Sequence, residues 1–315
     1  MGMPDLLSTV AIIVVSYGSS DLLEQNLLPV VDSTPEAYVV VIDNFTTSEE
    51  RAKVRALADL HGWTAVLSDV NEGFGIGMNR GVDQALSLGA TSFLLLNPDA
   101  TIDRSSLEEL AQGVARSPLE LLSPTVVRPD GSVWFAGSDL YLVDGRIRGA
   151  RRRSPEHGDR YRPWLSGACL MVSRELWALV GGFRSDYFLY WEDVDLSWRI
   201  QKVGGTIAVH PSAQAVHAEG GTQKKASSHV GQAKSTTYYY YNIRNRLIFA
   251  SLYLDDVDLR AWLRVACAVS WEILMQGGRR QLIHSPKPLL AAARGFRHGR
   301  RIARAELKRR SASGS

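Results

Sequence analysis

At 315 residues with 45% hydrophobic and 22% charged side chains, the chain has the make-up of an ordinary globular protein, large enough for one big domain or a domain with an appendage. The longest apolar runs, such as "AIIVV" at 11–15, are too short to span a bilayer, no secretory leader is evident in "MGMPDLLSTV", and Cys169 and Cys267 fit neither a disulfide framework nor a zinc pattern, so a reducing, cytosolic setting is expected. The net charge of +3 hides an asymmetry: residues 279–315 hold 11 Lys/Arg against one acid, Glu306, while the preceding 278 residues balance at −7, which points the tail toward nucleic acid, an anionic membrane surface or a solvated, partly disordered end.

In chain order, "VAIIVVSYG" (10–18) reads as a buried strand ending in a turn, and 21–31 is helix-like. "AYVVVIDN" (37–44) is a second strand, 48–61 a helix with a start signal, and "TAVLSD" (64–69) a third strand. "GMNRGVDQALSLG" (77–89) reads as a helix closed by Gly89, and "SFLLLNPD" (92–99) as a fourth strand. Near-continuous apolar strands alternating with helices predict a parallel sheet covered on both faces, with ligands at the carboxyl ends of the strands. Further on, "PDGSVWFAG" (129–137) reads as a turn feeding a strand, 139–149 as a hairpin or irregular connection, and 150–163 as a mobile loop. Residues 164–183 read as a strand and a short helix stopped by Gly181-Gly182, 193–203 as a helix, and 205–217 as a strand. Two helices are expected over 235–254 and 257–275.

Three strand ends are polar in a way that packing does not require: "SYG" after the first, Asp43-Asn44 after the second, and "NPD" with Asp99 after the fourth. A single aspartate there is usually a cap or turn former. Several at one edge of a parallel sheet gather in one crevice and argue for a ligand. "NEGFGIGMNRG" (71–81) imitates a dinucleotide fingerprint but fails it, because Met78 and Arg80 stand where the third glycine belongs; a close-approach turn entering the following helix accounts for its glycines. Later, "FLYWEDVDLSWRI" (188–200) sets Glu192, Asp193 and Asp195 directly behind an aromatic run, where ionisation is costly.

Taken together, "VVSYG", "VVVIDN", "NEGFGIGMNRG", "LLLNPDA", "WLSGACLMVSRELWALVGGF", "YFLYWEDVDLSWRI" and "HPSAQAVH" occur in an order that resembles the inverting nucleotide-sugar glycosyltransferases of family 2, especially their rhamnosyltransferase-like branch, over about residues 8–250. The resemblance implies an α/β GT-A fold, a Rossmann-like, mostly parallel sheet flanked by helices, with a C-terminal helical extension. It divides the chain into a transferase domain at 1–230, with its nucleotide half at about 8–100 and its acceptor half at about 101–230, and a basic extension at 231–315. It also implies that Asp43 binds the donor's pyrimidine, that Ser16 and Tyr17 flank that base, and that Asn71, Gly73 and Asn79 close over the nucleotide. Asn97 and Asp99 occupy the Asp-x-Asp position, with Asn97 replacing the first acid. Asp99 and His217, 24 residues after Asp193, would hold Mg2+ or Mn2+ on the diphosphate. Asp193 matches the base that deprotonates the acceptor, and Glu192 its helper; Asp195 reads as a helix-start acid. Trp164, Tyr190 and Trp191 are candidate sugar-stacking residues.

The segment "STTYYYYNIRNRLIFASLYL" (235–254) resembles those of relatives acting on polyprenyl-diphosphate sugars, so Arg244 or Arg246 is expected to meet an acceptor phosphate. Trp262, Leu263, Val269, Trp271, Ile273 and Leu274, with the basic tail, are expected to lie on an anionic inner leaflet, or to pack in a homodimer. The implied activity is transfer of L-rhamnose from dTDP-L-rhamnose to a lipid-linked glycan, by a cytoplasmic protein peripheral to the cell membrane. A UDP-sugar transferase, for instance of galactofuranose, is the alternative within enzymes. A non-catalytic glycan-binding protein is the alternative outside them, and the Asp43, Asp99, Asp193 and His217 set argues against it, because binding alone needs no base. No nucleic-acid module is present.

Overall fold

In the computed structural model, which describes residues 6–150, 160–218 and 234–313, four apolar runs form the strands Val10–Ser16 (β1), Tyr38–Asp43 (β2), Thr64–Leu67 (β3) and Ser92–Leu96 (β4). They are parallel, in the order β3-β2-β1-β4. Successive side chains of a strand point to opposite faces, and here each face has its own core. Val10, Ile12, Val14, Val39, Val41, Leu94 and Leu96 enter one cluster. Ala11, Ile13, Val15, Val40, Ile42, Phe93 and Leu95 enter the other. That two-sided burial is why these strands read as unbroken apolar runs.

Helical segments cover both faces: Ser20–Leu22 (α1) and Leu28–Ser33 (α2), joined by a π turn at Leu23–Leu27, then Ser48–His61 (α3) and Phe74–Ser87 (α4). Thr47 caps α3 by accepting from the Glu50 amide. The helix expected from residue 77 starts at Phe74, so Gly75, Gly77 and Gly81 lie inside it and do not form a turn. Their role is contact distance: a Cβ on Gly81 would come within 2.3 Å of Ile13. Bare glycine lets α4 sit low on the sheet, bringing its first turn to the ends of β1 and β2.

The chain continues through Ala100–Ile102 (β5), Arg104–Arg116 (α5), Glu120–Val127 (β6), Val133–Phe135 (β7), Ser138–Tyr141 (β8), Ile147–Gly149 (β9), Tyr161–Trp164 (β10), Cys169–Ser173 (β11), Arg174–Val180 (α6), Glu192–Lys202 (α7) and Thr206–His217 (β12). The main sheet runs β3-β2-β1-β4-β11-β6-β12-β5, with β7 on β6. β11 enters antiparallel to β4, and β12 is parallel to β6. β6 is a central strand despite Pro124, which cannot donate to the ladder. β12 accommodates it: His210 pairs with Pro124, then the register jumps to Gln214 opposite Thr125, leaving a bulge at 211–213. The expected mobile loop at 150–163 falls largely outside the described residues, and its described end forms β10.

Contacts divide the chain into two units. The first comprises Met1–Ser138, Pro163–Phe188 and Glu192–Thr222; the second comprises Asp139–Arg162, Leu189–Trp191 and Gln223–Ser315. The boundary expected at 230–231 lies outside the described residues. The second unit is built on Thr236–Tyr253 (α8), Asp256–Met275 (α9), Gln281–His284 (α10) and Lys287–Ser313 (α11). Thus the basic tail is a helix of 27 residues and not a solvated end. Of the apolar positions expected to face a membrane or a dimer partner, Trp262, Val269 and Leu274 are buried inside this unit, while Trp271 stays exposed. No helix among the described residues is long and apolar enough to cross a membrane.

Candidate active site

The first unit gathers polar groups at the carboxyl ends of its strands. Ser16 and Asp43 are register partners at the ends of β1 and β2, both buried. The Asp43 carboxylate accepts from Arg51 Nε at 2.7 Å, and the same guanidinium reaches the Ser68 carbonyl. One turn into α3, Arg51 therefore sets the direction of Asp43. Tyr17, 46% exposed, is the solvent-facing member of the predicted base-flanking pair.

The next residue, Asn44, is the hub of the loop before α4. Its Nδ2 donates to Asn71 Oδ1 at 3.0 Å and to the Gly73 carbonyl at 3.1 Å, while its Oδ1 accepts from the Glu72 amide at 2.9 Å. Asn71 Oδ1 also accepts from the Gly73 amide. Gly73 has φ +86°, and a Cβ there would lie 2.1 Å from the Phe188 carbonyl, which in turn accepts from the Phe74 amide. Only glycine fits. Asn79, expected to close over the nucleotide, instead clamps Phe183: its amide donates to the Phe183 carbonyl and accepts from the Phe183 amide, each at 2.8 Å. Both halves of its side chain are taken up by backbone.

The loop after β4 places Asp99, 4% exposed, so that Oδ1 lies 3.0 Å from His217 Nε2 at the end of β12. Asn26 Nδ2 holds the Pro98 carbonyl of this loop. Trp134 packs on the imidazole, with ring centroids 4.5 Å apart, and Phe135 connects it to Trp164. Half-buried Trp164 keeps its Nε1 without an acceptor among the described residues.

Gly167 and Ala168 tie this loop to α7. The Ala168 carbonyl accepts from the Asn97 amide at 3.0 Å, and the Gly167 amide donates to Asp193 Oδ2 at 3.1 Å. Asp193 Oδ1 accepts from the Val194 amide. Burial pushes the Asp193 carboxyl up to about 6, against these two backbone donors. Glu192 is 6% exposed, with Oε2 lacking a partner among the described residues. Burial first, then the charge of Asp193, raises its carboxyl well above the ordinary range. Asp195 is more than a helix-start acid: it is fully buried and accepts from Arg199 Nε at 2.6 Å, while the other guanidinium nitrogens bond the carbonyls of Val180 and Gly182.

The family model of Glycosyl transferase family 2 matches residues 11–175. The chain is a family 2 glycosyl transferase. The transferase is 27% identical over 265 residues to the N-acetylglucosaminyl-diphospho-decaprenol L-rhamnosyltransferase of Mycobacterium tuberculosis, covering 76% of this chain and 84% of that one. It is 23% identical over 296 residues to the dTDP-rhamnosyl transferase RfbF of Shigella flexneri, covering 92% and 96%. Among solved structures, the mannosyltransferase PcManGT of Pyrobaculum calidifontis, determined with GDP-Man and Mn2+, aligns with TM-score 0.52 at 16% identity over 95% of this chain and 86% of that one. That likeness shows the GT-A fold expected from the sequence.

The second unit corrects the expected acceptor residues of the family 2 transferase. Trp191 is 4% exposed and packs on Phe249 and Trp262, so it is a core aromatic and not a sugar platform. Tyr190 stands edge-on to Tyr238. Both have left-handed backbone, φ 66° and 76°, which is costly for bulky residues. Buried Asn245 holds that backbone, donating to the carbonyls of Leu189 at 3.0 Å and Tyr190 at 2.7 Å. Arg246 is buried, stacked over Trp262 and bonded to the carbonyls of Asp144 and Gly145. It is therefore structural, whereas half-buried Arg244 donates from Nη1 to Asn245 Oδ1 at 2.7 Å.

Arg51 and Trp134 were missed, and Asn44 and Asn245 were noticed without these roles, because their importance lies in contacts across distant sequence. The "DN" pair offered the one usable signal, since a second amide beside a strand-end acid can bridge to a neighbouring loop. Replacing Asn44 by Ala removes the acceptor of the part-buried Glu72 amide and one donor each from Asn71 Oδ1 and the Gly73 carbonyl. The expected result is a loss of about 1–3 kcal/mol in urea unfolding, with a raised KM for the nucleotide donor.

Proposed function

We propose that the chain is an inverting transferase that moves L-rhamnose from dTDP-L-rhamnose to a polyprenyl-diphosphate-linked glycan, working at the cytoplasmic surface of a membrane. One observation carries the reading of the site. The Gly167–Ala168 backbone holds Asp193 with one amide and the Asn97–Asp99 loop with the neighbouring carbonyl, so the proposed base and the proposed diphosphate loop share one rigid support. The names of the Mycobacterium and Shigella relatives support rhamnose, and the first also supports the lipid-linked acceptor.

Asp193 removes the proton of the acceptor hydroxyl as that oxygen attacks the anomeric carbon on the face opposite the leaving diphosphate. Its raised pKa makes it a stronger base than an exposed aspartate. Glu192, whose carboxyl is raised by burial and then by the charge of Asp193, orients that base or contacts the acceptor. Asp43, directed by Arg51, receives the pyrimidine edge between Ser16 and Tyr17.

The Asp99 and His217 pair fits a divalent cation by its chemistry: a buried carboxylate oxygen and an imidazole nitrogen converge to 3.0 Å, a donor set suited to Mn2+ or Mg2+. Asp99 and His217 would hold the cation, and among the described residues no group of three or more His, Cys, Asp or Glu could do so. Held there, a cation would supply positive charge opposite the leaving diphosphate.

The test is a panel of dTDP-, UDP- and GDP-sugars with lipid-diphosphate acceptors and Mn2+ or Mg2+, following transfer. dTDP-rhamnose is expected to give the highest kcat/KM, and Asp99→Asn to weaken metal activation at least tenfold. Faster transfer from a UDP-sugar would overturn the donor assignment.

A further inference from the structure

The C-terminal helix α11 carries two faces of opposite character. One face consists of Pro288, Ala291, Ala292, Gly295, Gly299, Ala303 and Leu307, all buried. Its small residues bring α11 against α8: a Cβ on Gly295 would stand 2.5 Å from the Tyr240 carbonyl, and one on Gly299 3.1 Å from the Arg244 carbonyl. The packing fixes the rotation of α11 within the unit and so fixes what the other face presents.

That other face is Leu290, Arg294, Arg297, Arg301, Arg304 and Lys308, all exposed. The spacings alternate four and three, so at 3.6 residues per turn the six positions fall within an arc of about 80° and run most of the helix length. Charge pairing on this helix is selective. Its one acid, Glu306, is bonded by Arg309 and Arg310, whereas Arg297, Arg301, Arg304 and Lys308 have no carboxylate within salt-bridge distance among the described residues. The last four line an open cleft of about 770 Å³ together with Arg260 and Arg300. Arg300 stacks over Phe296, and its buried Nε lacks an acceptor among the described residues. Arg260 has Asp256 at 3.9 Å, but the five cations that α11 brings to the cleft repel one another unless a further anion joins them. At the amino-terminal end, Leu289, Leu290 and, just before the helix, Ile283 are 45%, 58% and 82% exposed.

We propose that this face of α11 is the surface by which the protein docks on a bilayer of anionic phospholipid. The arginines lie along the phosphate plane, a headgroup phosphate enters the cleft at Arg300, and Ile283, Leu289 and Leu290 enter the acyl boundary. Long cationic side chains beside exposed aliphatic residues match a layer that is anionic outside and apolar beneath. A nucleic acid would use the cations but has no place for the aliphatic end, and no aromatic residue is exposed along the stripe for bases to stack on. The inference rests on the membrane placement proposed above and assigns the residues that produce it.

The experiment is co-sedimentation of the full chain with vesicles of phosphatidylglycerol and phosphatidylcholine, and with phosphatidylcholine alone, at a fixed salt concentration. The parent should bind the mixed vesicles and not the neutral ones. Arg297→Gln/Arg301→Gln/Arg304→Gln should lose about a hundredfold in partition, whereas Arg55→Gln/Arg116→Gln/Arg174→Gln, equally matched in charge and exposed elsewhere, should bind like the parent. Circular dichroism and turnover with a detergent-soluble acceptor should be unchanged in both, because none of these residues touches the site. If the parent ignores anionic vesicles, the membrane placement itself fails. If the parent binds but the stripe variant binds equally well, or if a DNA oligonucleotide competes the parent off the vesicles, the α11 surface is wrong and the placement stands.

Discussion

Asp193→Asn is expected to lower kcat by about 10²–10⁴-fold, the range supplied by a positioned general base, with donor affinity and fold kept. The carboxylate sits on two backbone amides, those of Gly167 and Val194, so its position is set by main chain. Burial outweighs those donors and pushes it up to about 6. The base must be ionised, so the parent's kcat/KM should fall as pH drops through about 6, and the residual rate of the Asn variant should lose that acid limb. The linkage has the opposite sign. A carboxyl whose native pKa is raised holds its proton more tightly folded than unfolded, so its contribution to stability is present at low pH and is lost as pH rises toward and through about 6. At neutral pH the amide removes that penalty but turns its NH2 toward one of the two backbone donors, so the melting temperature should stay close to the parent's. Donor titration and single-turnover rates separate the two readouts. Normal turnover in Asp193→Asn would remove the base assignment.

How far the sequence could be read depended on whether a residue's role is local. Strands β1 to β4 were legible because burial on both faces leaves an unbroken apolar run, and Asp43 and Asp99 stood out because parallel topology brings such ends to one edge. β6 was not legible, since Pro124 argues against a central strand until the bulge at 211–213, more than eighty residues away, is seen to accommodate it. The glycines of 73–81 were seen, but their meaning was not: Gly73 answers to the Phe188 carbonyl and Gly81 to Ile13, contacts that local spacing cannot encode. The same holds for the aromatics. Trp191 stood beside the acids in sequence and went into a core, whereas Trp134, with no motif around it, is the ring that packs on His217. Nor could spacing separate the three acids of "EDVD", because i, i+1 and i+3 on one turn do not say which carboxylate is paired.

Asp195→Ala tests that separation and is expected to cost about 3–5 kcal/mol, the loss on removing one partner of a buried ion pair. Asp195 is fully buried, and the guanidinium it holds also donates to Val180 and Gly182, fastening the end of α6 to α7. Without the carboxylate, Arg199 is left charged and largely buried, with only neutral carbonyls to face. The urea midpoint should therefore fall sharply with an unchanged slope, since the surface exposed on unfolding is the same. Adding Arg199→Met should recover part of the loss, because the stranded charge goes and a side chain of similar length fills the space. Recovery should stay incomplete, because the carbonyls of Val180 and Gly182 lose their donors. Two carboxylates two residues apart then behave oppositely: removing the charge of Asp193 lowers turnover at nearly constant stability, while removing Asp195 destabilises the turn that carries it. A parent-like urea midpoint in Asp195→Ala would show that the buried pair is not what holds α7 in place.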